Sequence, residues 1–219
     1  MGKFIIVAGN IGVGKSTLVS LLSSYFGWTP YYEPVAENPY LADFYNDMPR
    51  WGFHSQVFFL TNRMKIHRQI MQERDSAIQD RSIYEDAEVF ARNLYLNGQL
   101  DQRDYQTYRD IYETFVDVIR PPDLMIYLRA SVPTLQKRIA ERNRSYENGI
   151  ADAYLDRLNG LYEDWISHFD LCPVLTVPSD NLNYLTHPGH LNLVTQKITQ
   201  RLGGVEEVNF NEAEIAKYE

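Results

Sequence analysis

The apolar run Phe4-Ile5-Ile6-Val7-Ala8 passes directly into Gly9-Asn10-Ile11-Gly12-Val13-Gly14-Lys15-Ser16-Thr17. A strand that ends in spaced glycines and turns at once into a helix points consecutive backbone N–H groups at the β-phosphate of a nucleoside triphosphate. Lys15 adds a mobile positive charge over the β/γ bridge, and the Ser16 hydroxyl is spaced to reach Mg²⁺. At positions 9, 12 and 14 a Cβ would block the phosphates or forbid a positive φ. Leu18, Leu21, Leu22 and Tyr25 follow at helical spacing, so both flanks agree with a phosphate-binding loop. Its residues Gly9, Asn10, Ile11, Gly12, Val13, Gly14, Lys15, Ser16 and Thr17 are candidate triphosphate contacts.

Such a loop belongs to alternating strands and helices. The pattern predicts a helix over 15–26 ended by Gly27, and a short strand from Trp28 to Glu33 stopped by Pro34. A short helix carrying Leu41, Phe44 and Tyr45 follows, then a long amphipathic helix from Gly52 to Gln72 with apolar residues at Phe53, Val57, Leu60, Met64 and Met71. Ala77–Ser82 reads as a central strand with a charged tip, 83–96 and 103–119 as helices, and 123–129 as a strand. A helix over 132–142, a basic loop through Tyr146, a helix over 153–168 and a last strand at 174–177 complete the alternation. The expected fold class is α/β, a parallel sheet with helices on both faces. Residues 203–219, with Gly203-Gly204 and several acids, read as either a loosely attached tail or a terminal helix.

At 219 residues one globular domain is favoured, and no stretch reaches the roughly eighteen apolar residues of a membrane span. The N-terminus does not read as a secretory signal, so an intracellular, cytoplasmic protein with no membrane association is expected. The single cysteine, Cys172, excludes an intrachain disulfide and sits in an apolar stretch that suits packing. A net charge of −8 argues against a nucleic-acid polymer as partner and for a small-molecule acceptor. The five histidines show no metal-ligand spacing, and zinc is not expected.

In an open α/β sheet, ligands gather beyond the carboxyl ends of the strands. Three such ends carry charge here: the glycine loop, Glu33, and Asp80-Arg81. Phosphoryl transfer needs a metal holder, positive charge over the moving group and a base near the attacking hydroxyl. Taken alone, Glu33 also reads as a surface or capping acid, Asp80 as a structural partner of Arg81, and Gln56 as a polar residue on a wet helix face.

The glycine loop, Glu33-Pro34-Val35, the run Phe53-His54-Ser55-Gln56 leading to Arg63, the segment Asp80-Arg81-Ser82-Ile83-Tyr84-Glu85-Asp86, and the stretch Arg138–Arg144 occur in this order. Together they resemble the deoxynucleoside kinases, the family of deoxycytidine, deoxyguanosine and deoxyadenosine kinases. The likeness runs from about residue 3 to about 168. It implies a P-loop nucleoside-kinase fold with an arginine-rich lid at about 138–150; the single domain is expected to span 1–202, with the acidic C-terminal tail at 203–219.

The resemblance further implies transfer of the γ-phosphoryl group of ATP to the 5′-hydroxyl of a deoxyribonucleoside. Glu33 would be the general base, Arg81 would lie between it and the transferring group, and Asp80 with Ser16 would organise Mg²⁺. The family most often has Glu where this chain has Asp80; the side chain is one methylene shorter, which implies a metal contact through water. Gln56 matches the residue that pairs with the base edge, and Arg63 and Asp86 match positions that influence which base is accepted. Tyr45 and Glu147 match residues holding the 3′-hydroxyl, Phe90 is a candidate stacking wall, and Arg138, Arg142 and Arg144 match the lid facing the triphosphate.

The regions Glu33–Tyr45 and Trp51–Gln56 are most similar to the bacterial deoxyadenosine kinases. This leans the acceptor toward a purine, with deoxyguanosine or deoxycytidine as alternatives. The family is commonly dimeric, so a homodimer is expected. Two other classes share the loop: a nucleoside monophosphate kinase, whose acceptor phosphate Glu33 would repel, and a non-catalytic nucleotide-gated interaction protein, which has no use for Glu33 or Gln56. The spacing Tyr154-Leu155…Leu158…Tyr162…Trp165 reads as helix packing without a functional role.

Overall fold

All six residues of β1 (Phe4–Gly9) are buried. A strand period of two sends Ile5 and Val7 into one hydrophobic cluster, and Phe4, Ile6 and Ala8 into another on the opposite face. A strand buried on both sides belongs at the centre of a parallel sheet. The computed structural model, which describes residues 2–32, 37–144 and 149–218, has that sheet. Its five strands lie in the order β2-β3-β1-β4-β5, every neighbouring pair parallel.

The chain runs from β1 through α1 (Lys15–Phe26), β2 (Thr29–Tyr31), α2 (Leu41–Asn46) and α3 (Met48–Gln72) to β3 (Ala77–Asp80). Then come α4 (Ile83–Glu85), a π-helical turn (Asp86–Ala91), α5 (Arg92–Leu96), α6 (Gln102–Val116), β4 (Leu124–Arg129), α7 (Val132–Arg142) and α8 (Asp152–His168). β5 (Val174–Pro178), α9 (Pro188–Leu202), α10 (Glu212–Ile215) and a 3₁₀ turn (Ala216–Tyr218) finish it. α1, α7 and α9 pack on one face of the sheet, and α2 to α6 on the other; α8 contributes Leu155 to the first cluster and Leu158, Tyr162 and Trp165 to the second. Among the described residues no helix is long and apolar enough to cross a membrane.

α1 ends where expected, at Gly27 in the left-handed conformation, and α7 has the predicted bounds. β2 is shorter than the predicted strand, whose last residue, Glu33, lies outside the described residues. α3 begins four residues before Gly52, because Asp47 accepts from the Arg50 N–H and Pro49 fits the first turn. β3 stops at Asp80, since Arg81 takes a φ of 68° that ends the extended backbone. The helix expected over 83–96 opens into the π turn, and α9 is an element the hydrophobic pattern did not announce. The C-terminal segment is anchored: Ile215 is buried in the α9-side cluster, with Val208 and Phe210 packed against it.

Candidate active site

The phosphate loop ends at Gly14, which has no side-chain cap for α1 and leaves the first helical N–H groups for an anion. Gly9, Gly12 and Gly14 all have positive φ. At Gly12 a Cβ would sit 2.7 Å from Ile139 Cγ1 and 3.0 Å from the Leu135 carbonyl, so this glycine also admits α7 against the loop. The loop is tied down from below: Asn10 donates its amide to the Leu155 carbonyl (2.9 Å) and Asn159 Oδ1 (2.8 Å). Lys15 is buried, with Nζ donating to the carbonyls of Gly9 (2.7 Å) and Asn10 (3.0 Å).

A cavity of about 1200 Å³ opens over this loop at the carboxyl ends of the strands. Its wall carries Ile11 through Thr17, Asp80 and Arg81, the lid-stretch arginines Arg138, Arg142 and Arg144, and the acceptor-side candidates Tyr45, Gln56, Asp86 and Phe90. One space therefore brings together residues far apart in sequence. At about 1200 Å³ it exceeds the usual range for a single small ligand and leaves room for two. Gly9, Asn10 and Arg63 are not on the wall; they lie beneath it. Glu33 and Glu147 lie outside the described residues.

Asp80 Oδ2 accepts from the Ser16 hydroxyl at 2.5 Å, and its buried Oδ1 has no hydrogen-bond partner. One carboxylate and one hydroxyl, both hard oxygen donors, suit Mg²⁺, which draws its remaining ligands from phosphate oxygens and water. Among the described residues no group of three or more His, Cys, Asp or Glu side chains assembles a metal site without such help.

Arg81 is held in a backbone region uncommon for residues other than glycine, asparagine or aspartate. Its guanidinium carbon stands 4.3 Å from the centre of the Phe90 ring. Phe90 thus backs the arginine as well as facing the cavity. Gln56 is buried, and its Oε1 lacks a hydrogen-bond partner. Arg63 Nη1 donates to Asp86 Oδ2 in a fully buried ion pair, and Phe59 lies under the guanidinium at 5.2 Å. Asp86 and Phe90 both belong to the π turn, a distortion frequent at functional sites because it re-aims side chains.

Arg138 donates to the carbonyls of Val13 and Ser179, both at 2.7 Å, and so straps the phosphate loop to the chain beyond β5. Arg142 and Arg144 are exposed on the cavity rim. Phe59 and the segment Leu182–Leu185 also line the cavity, and sequence reasoning did not single them out; Tyr154, expected only to pack its helix, lines it too. The strand-end rule, applied to β5 as it was to the other strands, points at that last segment. Burial pushes the hydroxyls of Tyr154 and Tyr184 up to about 12, so both act there as neutral partners.

The chain matches the deoxynucleoside kinase family over residues 5–202. It is 37% identical over 198 residues to the deoxyadenosine/deoxycytidine kinase of Bacillus subtilis (strain 168), covering 90% of this chain and 91% of that protein. It is 34% identical over 211 residues to the deoxyadenosine kinase of Lactobacillus acidophilus, covering 92% and 97%. The structure of deoxyadenosine kinase from M. mycoides with bound dATP superposes with a TM-score of 0.79 at 33% identity, over 90% of this chain and 99% of that one.

Proposed function

Since the chain belongs to the deoxynucleoside kinase family, and is thereby a phosphotransferase that moves a phosphoryl group from ATP to a deoxynucleoside 5′-hydroxyl, we propose that its acceptor is deoxyadenosine. The carrying observation is the shared cavity, in which the glycine loop and the buried amide of Gln56 face the same space. A carboxamide with an unmet acceptor suits a base edge that presents a donor beside an acceptor, as the adenine amino group and ring nitrogen do.

In this reading Glu33 takes the proton of the 5′-hydroxyl as its oxygen bonds to the γ-phosphorus and the bond to the β–γ bridging oxygen breaks, releasing ADP. Arg81 neutralises charge on the transferring group, and Lys15 turns from its own loop carbonyls to the phosphates. Asp80 and Ser16 would hold Mg²⁺, which would supply charge neutralisation at the triphosphate. Tyr45 and Glu147 would hold the 3′-hydroxyl. Arg142 and Arg144, with Arg138 behind them, would close over the triphosphate. A homodimer, using the apolar side of Phe53 to Met71, is the assembly the family resemblance implies, and sedimentation at monomer mass at micromolar concentration would refute it. A cytoplasmic salvage role is the setting this reaction implies.

Rates with the four deoxynucleosides at equal subsaturating concentration test the assignment. Deoxyadenosine should have the highest kcat/KM; deoxycytidine or thymidine ahead overturns the choice of base. Glu33→Gln should lower kcat by about 10²-fold or more, the usual worth of a positioned proton acceptor.

A further inference from the structure

Glu85 has no exposed surface. A carboxylate in that position is costly unless its surroundings compensate it. Its Oε1 accepts the Gly9 N–H at 3.1 Å and the Tyr162 hydroxyl, and stands 3.8 Å from Arg81 Nε. The Tyr162 hydroxyl also reaches the Gly9 carbonyl at 2.9 Å, and that same carbonyl accepts from Lys15 Nζ at 2.7 Å. Complete burial, and then Glu85, hold the Tyr162 hydroxyl protonated as a donor. A single carboxylate thus touches the guanidinium on the cavity wall and the first turn of the phosphate loop, and Tyr162 closes the circuit.

Phe90 confines the guanidinium of Arg81 through its ring face, which fixes distance but leaves rotation in the plane loose. An ion pair at Nε limits that rotation. A neutral residue could fill the volume beneath the loop, but it could not direct a cation. We propose that Glu85, seconded by Tyr162, is a positioning residue that orients Arg81 and the opening turn of the phosphate loop toward one transferring phosphoryl group.

This inference rests on the assignment of Arg81 to that group, and the experiment separates the two. Steady-state kinetics of the full chain with ATP, Mg²⁺ and deoxyadenosine are measured for Glu85→Gln, Tyr162→Phe, Arg81→Lys and the Arg81→Lys/Glu85→Gln pair. Glu85→Gln should lower kcat about tenfold or more while both KM values stay within about threefold, the mark of misplaced transition-state contacts. Tyr162→Phe, which keeps the ring, should lower kcat in the same direction by about threefold or more, and it decides the matter if Glu85→Gln does not fold. In the Arg81→Lys background, Glu85→Gln should cost less than about twofold further, since the two residues act as a unit.

Losses that multiply, or a Glu85→Gln or Tyr162→Phe enzyme within twofold of wild-type kcat, overturn the proposal. A fully active Arg81→Lys enzyme shows instead that the reading of Arg81 has failed, and takes the proposal with it.

Discussion

Arg63 and Asp86 retain 1% and 2% of their surface, and of this ion pair only Asp86 reaches the cavity wall. Burying both charges gains little net stability, but removing one of them takes from the other its ion pair while leaving it out of water. Asp86→Ala should therefore destabilise the fold by about 3–5 kcal/mol, read as a lower urea midpoint with little change in slope. Gln56 presents the complementary case, because its Oε1 is unmet in the protein itself. Gln56→Leu should leave stability unchanged or raised while increasing the KM for deoxynucleoside about tenfold or more, the worth of one or two hydrogen bonds to the base. Equal losses in stability and affinity would assign Gln56 to the core. The resemblance to the deoxynucleoside kinases is what singled these residues out; taken alone, a glutamine on a long helix and an Arg63–Asp86 pair 23 positions apart carry no sign of their place beside the cavity. Glu85 and Tyr162 were not singled out, since an acid amid a motif and an aromatic in a helical stripe carry no mark of meeting beneath a glycine loop.

α3 shows where hydrophobic periodicity misleads about an element it correctly finds. Its fully buried positions include Ser55, Gln56, Arg63 and His67 beside Leu60 and Ile70, while Phe53, Val57 and Met64 are only half covered. Of this stripe Gln56 lines the cavity and Arg63 pairs with Asp86 beside it, whereas His67 packs on Phe4 at the amino end of β1, so the site accounts for only the first part of the inverted patterning. α9 escaped notice for a related reason: His190, Thr195 and Lys197 occupy buried positions and thin its apolar signal. The π turn depends on the packing around Asp86 and Phe90 and has no signature in spacing. His67 in the buried stripe bonds the Arg120 carbonyl at 2.9 Å, and burial lowers its pKa below the ordinary value. The folded state thus resists a proton that the unfolded chain accepts near pH 6.5. The stability this group supplies is complete above about pH 6.5 and is lost as pH falls from there toward its folded pKa. Melting temperatures between pH 5 and 8 should fall more steeply on acidification for the wild type than for His67→Gln; parallel curves would exonerate the histidine.

Across the whole molecule, the parallel sheet, its central strand and the placement of the site at the strand ends follow from the alternation of apolar runs and helices, because a buried parallel strand tolerates little else. The C-terminal segment does not follow, since glycine and acids at 203–219 read alike for a tail and for a docked helix. Tertiary contacts decide it. Lys197 and Glu214 pair at 2.9 Å, and Ile215 enters the cluster that α1 and α9 share with the sheet. The ion pair is partly exposed and worth little, so the apolar contact must provide the hold. Ile215→Ala should cost about 2–5 kcal/mol, which at this length lowers Tm by at least about 4 °C. No described residue of this segment lines the cavity, so kcat/KM at 25 °C should stay within about twofold of wild type. An unchanged Tm would detach the segment from the cooperative core, whereas a loss of activity without a loss of stability would tie it to the site through α9.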